Sequence, residues 1–166
     1  MQIRLFVILC VLCLVQSGAA AAFAAPSAQS AEPTLREADA LRLGGDYPAA
    51  LAAYERISAQ SQSDAPAARN AAYRLAQTHA LDRNPARAAE AWRKFIAQYP
   101  DDARRSLALV QLGNALRAQG KFADALTAYQ QARLGLPTDD PLAPYLAQTL
   151  GAAYADAKQY DAAITE

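Results

Sequence analysis

The chain has 166 residues, which is enough for one ordinary domain, and its 16 basic and 16 acidic residues leave no formal net charge. That balance excludes function through a strongly basic nucleic-acid-binding surface. Alanine is abundant and β-branched residues are few, so the composition favours helix throughout and no sheet.

The N-terminus has the three-part pattern of a secretory signal peptide. Arg4 precedes an unbroken apolar run from Leu5 to Val15, and Ala22 and Ala24 supply the small residues that a cleavage site requires. This pattern predicts a signal peptide over residues 1–24 and a periplasmic or secreted protein. An uncleaved anchor is the alternative, but the run is shorter than the roughly 20 residues that span a bilayer. No stable membrane anchor is therefore expected after cleavage.

The two cysteines and the segment that follows the signal peptide limit what stabilises the mature chain. Cys10 and Cys13 both lie in the apolar run, so the mature chain is expected to have no disulfide. Leucine precedes each cysteine, whereas lipid attachment requires a small residue there. Residues 25–32, rich in Ala, Ser, Gln and Pro, predict a flexible spacer.

The rest of the chain predicts helix pairs separated by short breaks. The first pair is expected over residues 34–43 and 48–60, and the second breaks at residues 82–84 before Pro85 begins a new helix. Gly45 and Gly120 are expected in the turns within the first and third pairs. Aspartates are expected to cap the first helices of the later pairs, at Asp64, at Asp101 or Asp102, and at Asp140.

These helix pairs form a repeat. Four buried-type alanines, Ala50, Ala88, Ala125 and Ala163, recur at almost equal intervals, so the register scarcely drifts along the chain. In the third unit, Gly113 and Ala125 are expected where the two helices cross. The fourth unit stops within its second helix, which suggests either a fragment or a truncated reading frame.

The third unit resembles the tetratricopeptide repeat (TPR), a helix-turn-helix unit of about 34 residues. The matching residues are Leu109, Leu112, Gly113, Leu116, Gly120, Phe122, Ala125, Tyr129, Ala132 and Pro137. The resemblance implies an all-α, right-handed superhelical stack of antiparallel helix pairs over residues 31–166. Its units would cover residues 31–68, 69–105, 106–143 and, truncated, 144–166.

One sequence segment makes the family resemblance more specific. Residues 95–102, Phe-Ile-Ala-Gln-Tyr-Pro-Asp-Asp, are similar to an ending found in exported bacterial envelope proteins, namely the outer-membrane barrel-assembly lipoprotein and the Tol-Pal accessory protein. The chain departs from the first because it lacks a lipid-attachment signal. It departs from the second because the spacer has no room for a coiled coil.

Catalytic and metal-binding patterns are lacking in the sequence. His79 is the only histidine, stands where the family has a packing aromatic, and is interpreted as a core or interface residue. The paired aspartates are interpreted as helix caps, since they lack the spacing of a calcium loop. No nucleophile elbow, phosphate loop or dinucleotide fingerprint occurs. The sequence therefore predicts no enzyme activity, no metal and no cofactor.

The resemblance places binding in a groove lined by the first helix of each pair. The implied groove residues are Asn70, Tyr73, Gln77, Leu107, Val110, Asn114, Arg117, Tyr145, Gln148 and Asp156. The implied function is an exported scaffold that binds a peptide or protein partner, serving cell-envelope assembly or maintenance. The alternatives are the TPR region of a larger exported enzyme, whose catalytic part lies beyond residue 166, and a protein that binds peptidoglycan, other cell-wall glycan or lipid.

Overall fold

The computed structural model describes residues 34–60, 65–137 and 139–157. Several predicted features lie outside these residues, namely the signal peptide over 1–24, the spacer over 25–32, Asp64, and Ala163 in the last predicted helix. Within them the chain forms seven α-helices and no strand, as the sequence predicts. The helices are α1 (Leu35–Leu43), α2 (Tyr47–Gln60), α3 (Pro66–Leu81), α4 (Pro85–Gln98), α5 (Arg105–Ala118), α6 (Phe122–Leu134) and α7 (Ala143–Asp156).

The helices stack in chain order. Each one packs against the next, and α1 also contacts α3. The first helices of successive pairs are α1, α3, α5 and α7, and the second helices are α2, α4 and α6. Short turns between members of a pair make them antiparallel neighbours, and repetition of the pair gives a solenoid. Among the described helices, none combines the length and the apolar character needed to cross a membrane.

The three turns within the pairs share one geometry. Gly45, Arg83 and Gly120 have positive φ angles of 84°, 54° and 74°. After each of them, a backbone amide donates to a carbonyl five residues earlier at 3.0 Å, which closes the preceding helix. The predictions for Gly45 and Gly120 are thus confirmed, while in the second pair an arginine occupies the left-handed position.

The aspartate caps predicted for α5 and α7 are wrong. The N-cap residues of α3, α5 and α7 are Ala65, Arg104 and Leu142, and none makes a side-chain capping hydrogen bond. Instead, Asp102 and Asp140 each accept a 2.8 Å hydrogen bond from the amide two residues later. Each carboxylate therefore stabilises the turn that precedes the helix, and the helix begins three residues after it.

The core consists of two clusters of buried side chains. A large cluster connects α3 to α7 and includes Trp92, Phe95, Leu116 and Tyr129. A smaller cluster beneath α1 and α2 consists mainly of alanines around Tyr54 and Ile57. The repeat alanines Ala50, Ala88 and Ala125 are completely buried. The larger side chains thus supply most of the apolar area, while alanines set the close approach of the helices.

Candidate partner-binding groove

Side chains link the first helices across one face of the stack, which we call the groove. Arg74 on α3 approaches Asp39 on α1 to 3.5 Å, and Arg117 on α5 pairs with Asp156 on α7 at 2.5 Å. Between α3 and α5, Arg104 donates to Asn70 at 2.9 Å. These contacts bring the predicted groove residues of successive units side by side.

Two of the predicted groove residues do not line this face. Val110 is completely buried in the large core cluster, and Tyr73 is only 5% exposed. The Tyr73 ring packs edge-on against Trp92 and Phe95, with centroids 5.1 and 5.3 Å away. The prediction is wrong for both residues because their side chains are buried in the large core cluster. They support the groove from beneath.

The other eight predicted residues remain at least partly accessible. On α3, Asn70 accepts from Arg104, and Gln77 accepts a 3.1 Å hydrogen bond from Arg74. Leu107 lies partly buried against the core. The remaining residues belong to α5 and α7, and they are Asn114, Arg117, Tyr145, Gln148 and Asp156.

Buried tyrosines anchor two groove side chains from below. The Tyr129 hydroxyl donates to Asn114 Oδ1 at 2.8 Å, and the Tyr54 hydroxyl donates to Asp39 Oδ1 at 2.5 Å. Burial raises the pKa of both tyrosines to about 12, so both hydroxyls remain protonated donors at neutral pH. Sequence reasoning missed Asp39, although it lies one repeat interval before Gln77.

The second unit lacks this anchor. Trp92 takes the place of the tyrosine, and its buried Nε1 has no hydrogen-bond partner among the described residues. Gln77 is held by Arg74 on its own helix instead. Since Arg42 and Arg74 approach Asp39 to 3.7 and 3.5 Å, this end of the groove combines two cations with one carboxylate.

Two clefts adjoin α5 and share Asn114 and Ala118. The α3–α5 cleft, of about 340 Å³, lies between the α3–α4 turn and α5. The α5–α7 cleft, of about 420 Å³, is lined by the paired Arg117 and Asp156 together with Phe122. Of the residues that line these two clefts, sequence reasoning identified Asn114, Arg117 and Asp156. It did not identify Arg83 in the α3–α4 turn or Pro85 at the start of α4.

A third cleft, of about 340 Å³, lies between α2, α3 and α4 and is lined by His79. His79 is 6% exposed, and its Nδ1 has no partner among the described residues. Burial, with a contribution from nearby Arg87, lowers its pKa below 6.5. This burial confirms the packing role predicted for His79. Across the described ranges, no three potential ligands converge on a possible metal site.

Comparison with known proteins agrees with this architecture. The family profile described as tetratricopeptide repeat matches residues 70–102 and 107–133. No curated protein matches the chain significantly.

Solved structures show the same fold. The crystal structure of MamA is 24% identical over 77% of this chain and 68% of its own, with a TM-score of 0.65. A structure of TPR-like repeats from Podosopora anserina is 19% identical to this chain. The match covers 78% of this chain and 67% of that one, with a TM-score of 0.64. The structure of BtubC (BKLC) from P. vanneervenii is 18% identical to this chain. The match covers 77% of this chain and 56% of that one, with a TM-score of 0.66. Residues 70–102 and 107–133 therefore match the tetratricopeptide repeat, and the described helices form a TPR-like solenoid.

Proposed function

We propose that the protein is an exported scaffold that binds an extended segment of a protein partner along the groove. The observation that carries the proposal is the anchoring of Asn114 and Asp39 by buried tyrosine hydroxyls. A polar side chain that is already held in place loses little conformational freedom on binding. The groove therefore offers a preorganised row of hydrogen-bonding groups.

The chemistry of the row suits a peptide backbone. Asn114 and Gln148 can both donate and accept, as an extended peptide requires. The tyrosine at position 145, 46% exposed, adds a flat apolar surface with a hydroxyl at its tip. An extended chain that follows this face would contact several repeats at once.

Export and an envelope role rest on the sequence alone. The charged, apolar and small-residue segments of positions 1–24 support export, and the ending at residues 95–102 supports a place among envelope proteins. On this proposal the mature protein starts at Ala25 and works in the periplasm or outside the cell.

The test is affinity capture of partners from envelope extract by the exported, tagged protein, with N-terminal sequencing of the recovered bait. The groove variant combines Tyr145→Ala with Gln148→Ala, because both side chains are exposed and neither belongs to the core. Tyr145 would lose only a 3.4 Å hydrogen bond from Asn114, whereas substitution of Arg117 or Asn114 would disrupt the shorter contacts with Asp156 or Tyr129.

We expect the groove variant to bind a captured partner about tenfold more weakly at unchanged helicity. The matched control combines Arg93→Ala with Gln131→Ala, two exposed positions on the second helices. Equal loss in the two double variants would rule out the groove. A bait that retains Met1 would rule out cleavage.

A further inference from the structure

Arg83 occupies a backbone conformation for which the other units use glycine. Its φ of 54° corresponds to 84° at Gly45 and 74° at Gly120, each at the end of the first helix of its pair. An L-residue with a side chain is disfavoured there because its Cβ approaches the following carbonyl. Since the hydrogen bonds that close the turn are the same at all three positions, the turn does not require arginine.

The Arg83 side chain lines the α3–α5 cleft without an internal partner. Its guanidinium makes no hydrogen bond or ion pair within the described ranges, and no acidic residue lines this cleft. The other walls are mostly small and apolar, including Pro85, Ala88 and Ala115. Gln119 donates to the Pro85 carbonyl at 2.9 Å, which ties the start of α4 to the end of α5.

The neighbouring α5–α7 cleft contains a carboxylate that the α3–α5 cleft lacks. There, Asp156, the last residue of α7, supplies a carboxylate to Arg117. The last residue of α5 is Ala118, so the α3–α5 cleft has a methyl group where the next cleft has its acid. A strained residue beside a functional surface is a recurrent sign that its side chain is used there.

We propose that Arg83 binds an acidic side chain of the partner while a small apolar side chain next to it enters the α3–α5 cleft. This inference rests on the proposed groove function and adds a chemical class of ligand to it. The partner's carboxylate takes the place that Asp156 holds in the next cleft. A charge-assisted hydrogen bond to the guanidinium provides the selectivity, and the apolar walls limit the size of the neighbouring side chain.

The test uses synthetic heptapeptides of the form Gly-Ser-Ala-Asp-Val-Ala-Ser, labelled for fluorescence polarisation. Companion peptides replace Asp with Asn or Lys, or replace Val with Trp. The protein variants are Arg83→Gly, which removes both the strain and the charge, and Ala118→Asp, which supplies the acid from within. Arg93→Gln, at an exposed position on α4, is the control for loss of one positive charge.

We expect the wild-type protein and the control to bind the Asp-Val peptide about tenfold more tightly than the Asn-Val peptide. Trp in place of Val should weaken binding to a similar extent. Arg83→Gly and Ala118→Asp should bind the Asp and Asn peptides equally well. Arg83→Gly should also raise the melting temperature, because glycine relieves the strain. A gain in stability with a loss of selectivity distinguishes recognition from a structural role.

Four results would overturn the proposal. The Arg83→Gly variant could still prefer the Asp peptide over the Asn peptide, or it could have a lower melting temperature than the wild-type protein. The wild-type protein could bind the peptides with no preference for Asp, which would reject the acidic ligand but leave the groove function intact. Absence of binding to every peptide at millimolar concentration would reject this proposal, while the capture experiment would still decide the groove function.

Discussion

At the scale of single residues, Gly113 shows how one missing side chain shapes the third unit. A Cβ built at this position would lie 2.6 Å from Cδ1 of Tyr129, inside the space that the aromatic ring occupies. The sequence interpretation placed Gly113 where two helix backbones meet beside Ala125. The structure gives it a different neighbour, because the ring of a residue on α6 fills the gap.

Replacement of Gly113 by alanine should therefore destabilise the protein. Helix propensity alone predicts a gain of about 1 kcal/mol, whereas displacement of the Tyr129 ring should cost about 1–3 kcal/mol and also disturb the hydroxyl that anchors Asn114. Urea denaturation followed by circular dichroism measures the net change. Gly44→Ala is the control, since its Cβ would make a tight contact with the Ala40 carbonyl oxygen at 3.3 Å but would displace no side chain. Equal stability changes at the two glycines would contradict the packing.

At the scale of helices, Arg104 joins α3, α4 and α5. Its guanidinium lies 4.5 Å from the centre of the Tyr73 ring and donates to both carboxylate oxygens of Asp102 at 2.8–2.9 Å. The Arg104 guanidinium holds the pKa of Asp102 below its usual value of 3.8. Arg69 approaches the same carboxylate and lies over Tyr99.

This cluster gives the phrase at residues 95–102 a local structural role. Phe95 and Tyr99 pack against each other with centroids 5.3 Å apart, and Asp102 builds the turn before α5. The first contact lies within the second unit, and the Asp102 turn leads from that unit into α5. The packing at the end of α4 and the turn before α5 therefore account for several residues of this segment.

Arg104→Ala should lower the free energy of unfolding by about 2–4 kcal/mol. The variant would leave the carboxylate of Asp102, whose side chain is 5% exposed, without its main partner. Chemical denaturation measures the loss, and Arg105→Ala on the first turn of α5 serves as the control. A variant as stable as the control would show that the cluster is not a joint between repeats.

At the scale of the whole molecule, the two core clusters differ in size and composition. The cluster under α1 and α2 has Tyr54 as its one buried aromatic side chain among the described residues, surrounded largely by alanines. The cluster that spans α3 to α7 contains Trp92, Phe95 and Tyr129. A solenoid repeat contacts only its neighbours, so local stability follows local burial.

Amide hydrogen exchange should reveal this gradient. We expect amides in α1 and α2 to exchange at least about tenfold faster than those in α5 and α6, because opening the first pair exposes less apolar area. Mass spectrometry of peptic fragments resolves the helices. Uniform protection from α1 to α6 would mean that the described array unfolds as one cooperative unit.

Much of the architecture follows from local patterns. The interval between Ala50, Ala88 and Ala125 predicts the stacking register, and Gly45 and Gly120 mark two of the three turns that contain a left-handed residue. The groove was predicted less completely. Tyr73 and Val110 are apolar enough to serve either as groove residues or as core residues. When a helix is buried on two sides, helical periodicity does not show which of two adjacent faces a residue belongs to.

The sequence by itself determined that the chain is helical, repetitive and divided into pairs, because propensity, turn chemistry and periodicity act over a few residues. Only the tertiary structure decided which side chains share the groove. The pairing of Arg117 with Asp156, 39 positions away, depends on how one repeat rotates onto the next. The tertiary structure also decides that Arg83 has no acidic neighbour in its cleft. Ala118, which ends α5, faces this cleft only because α5 lies beside the α3–α4 turn.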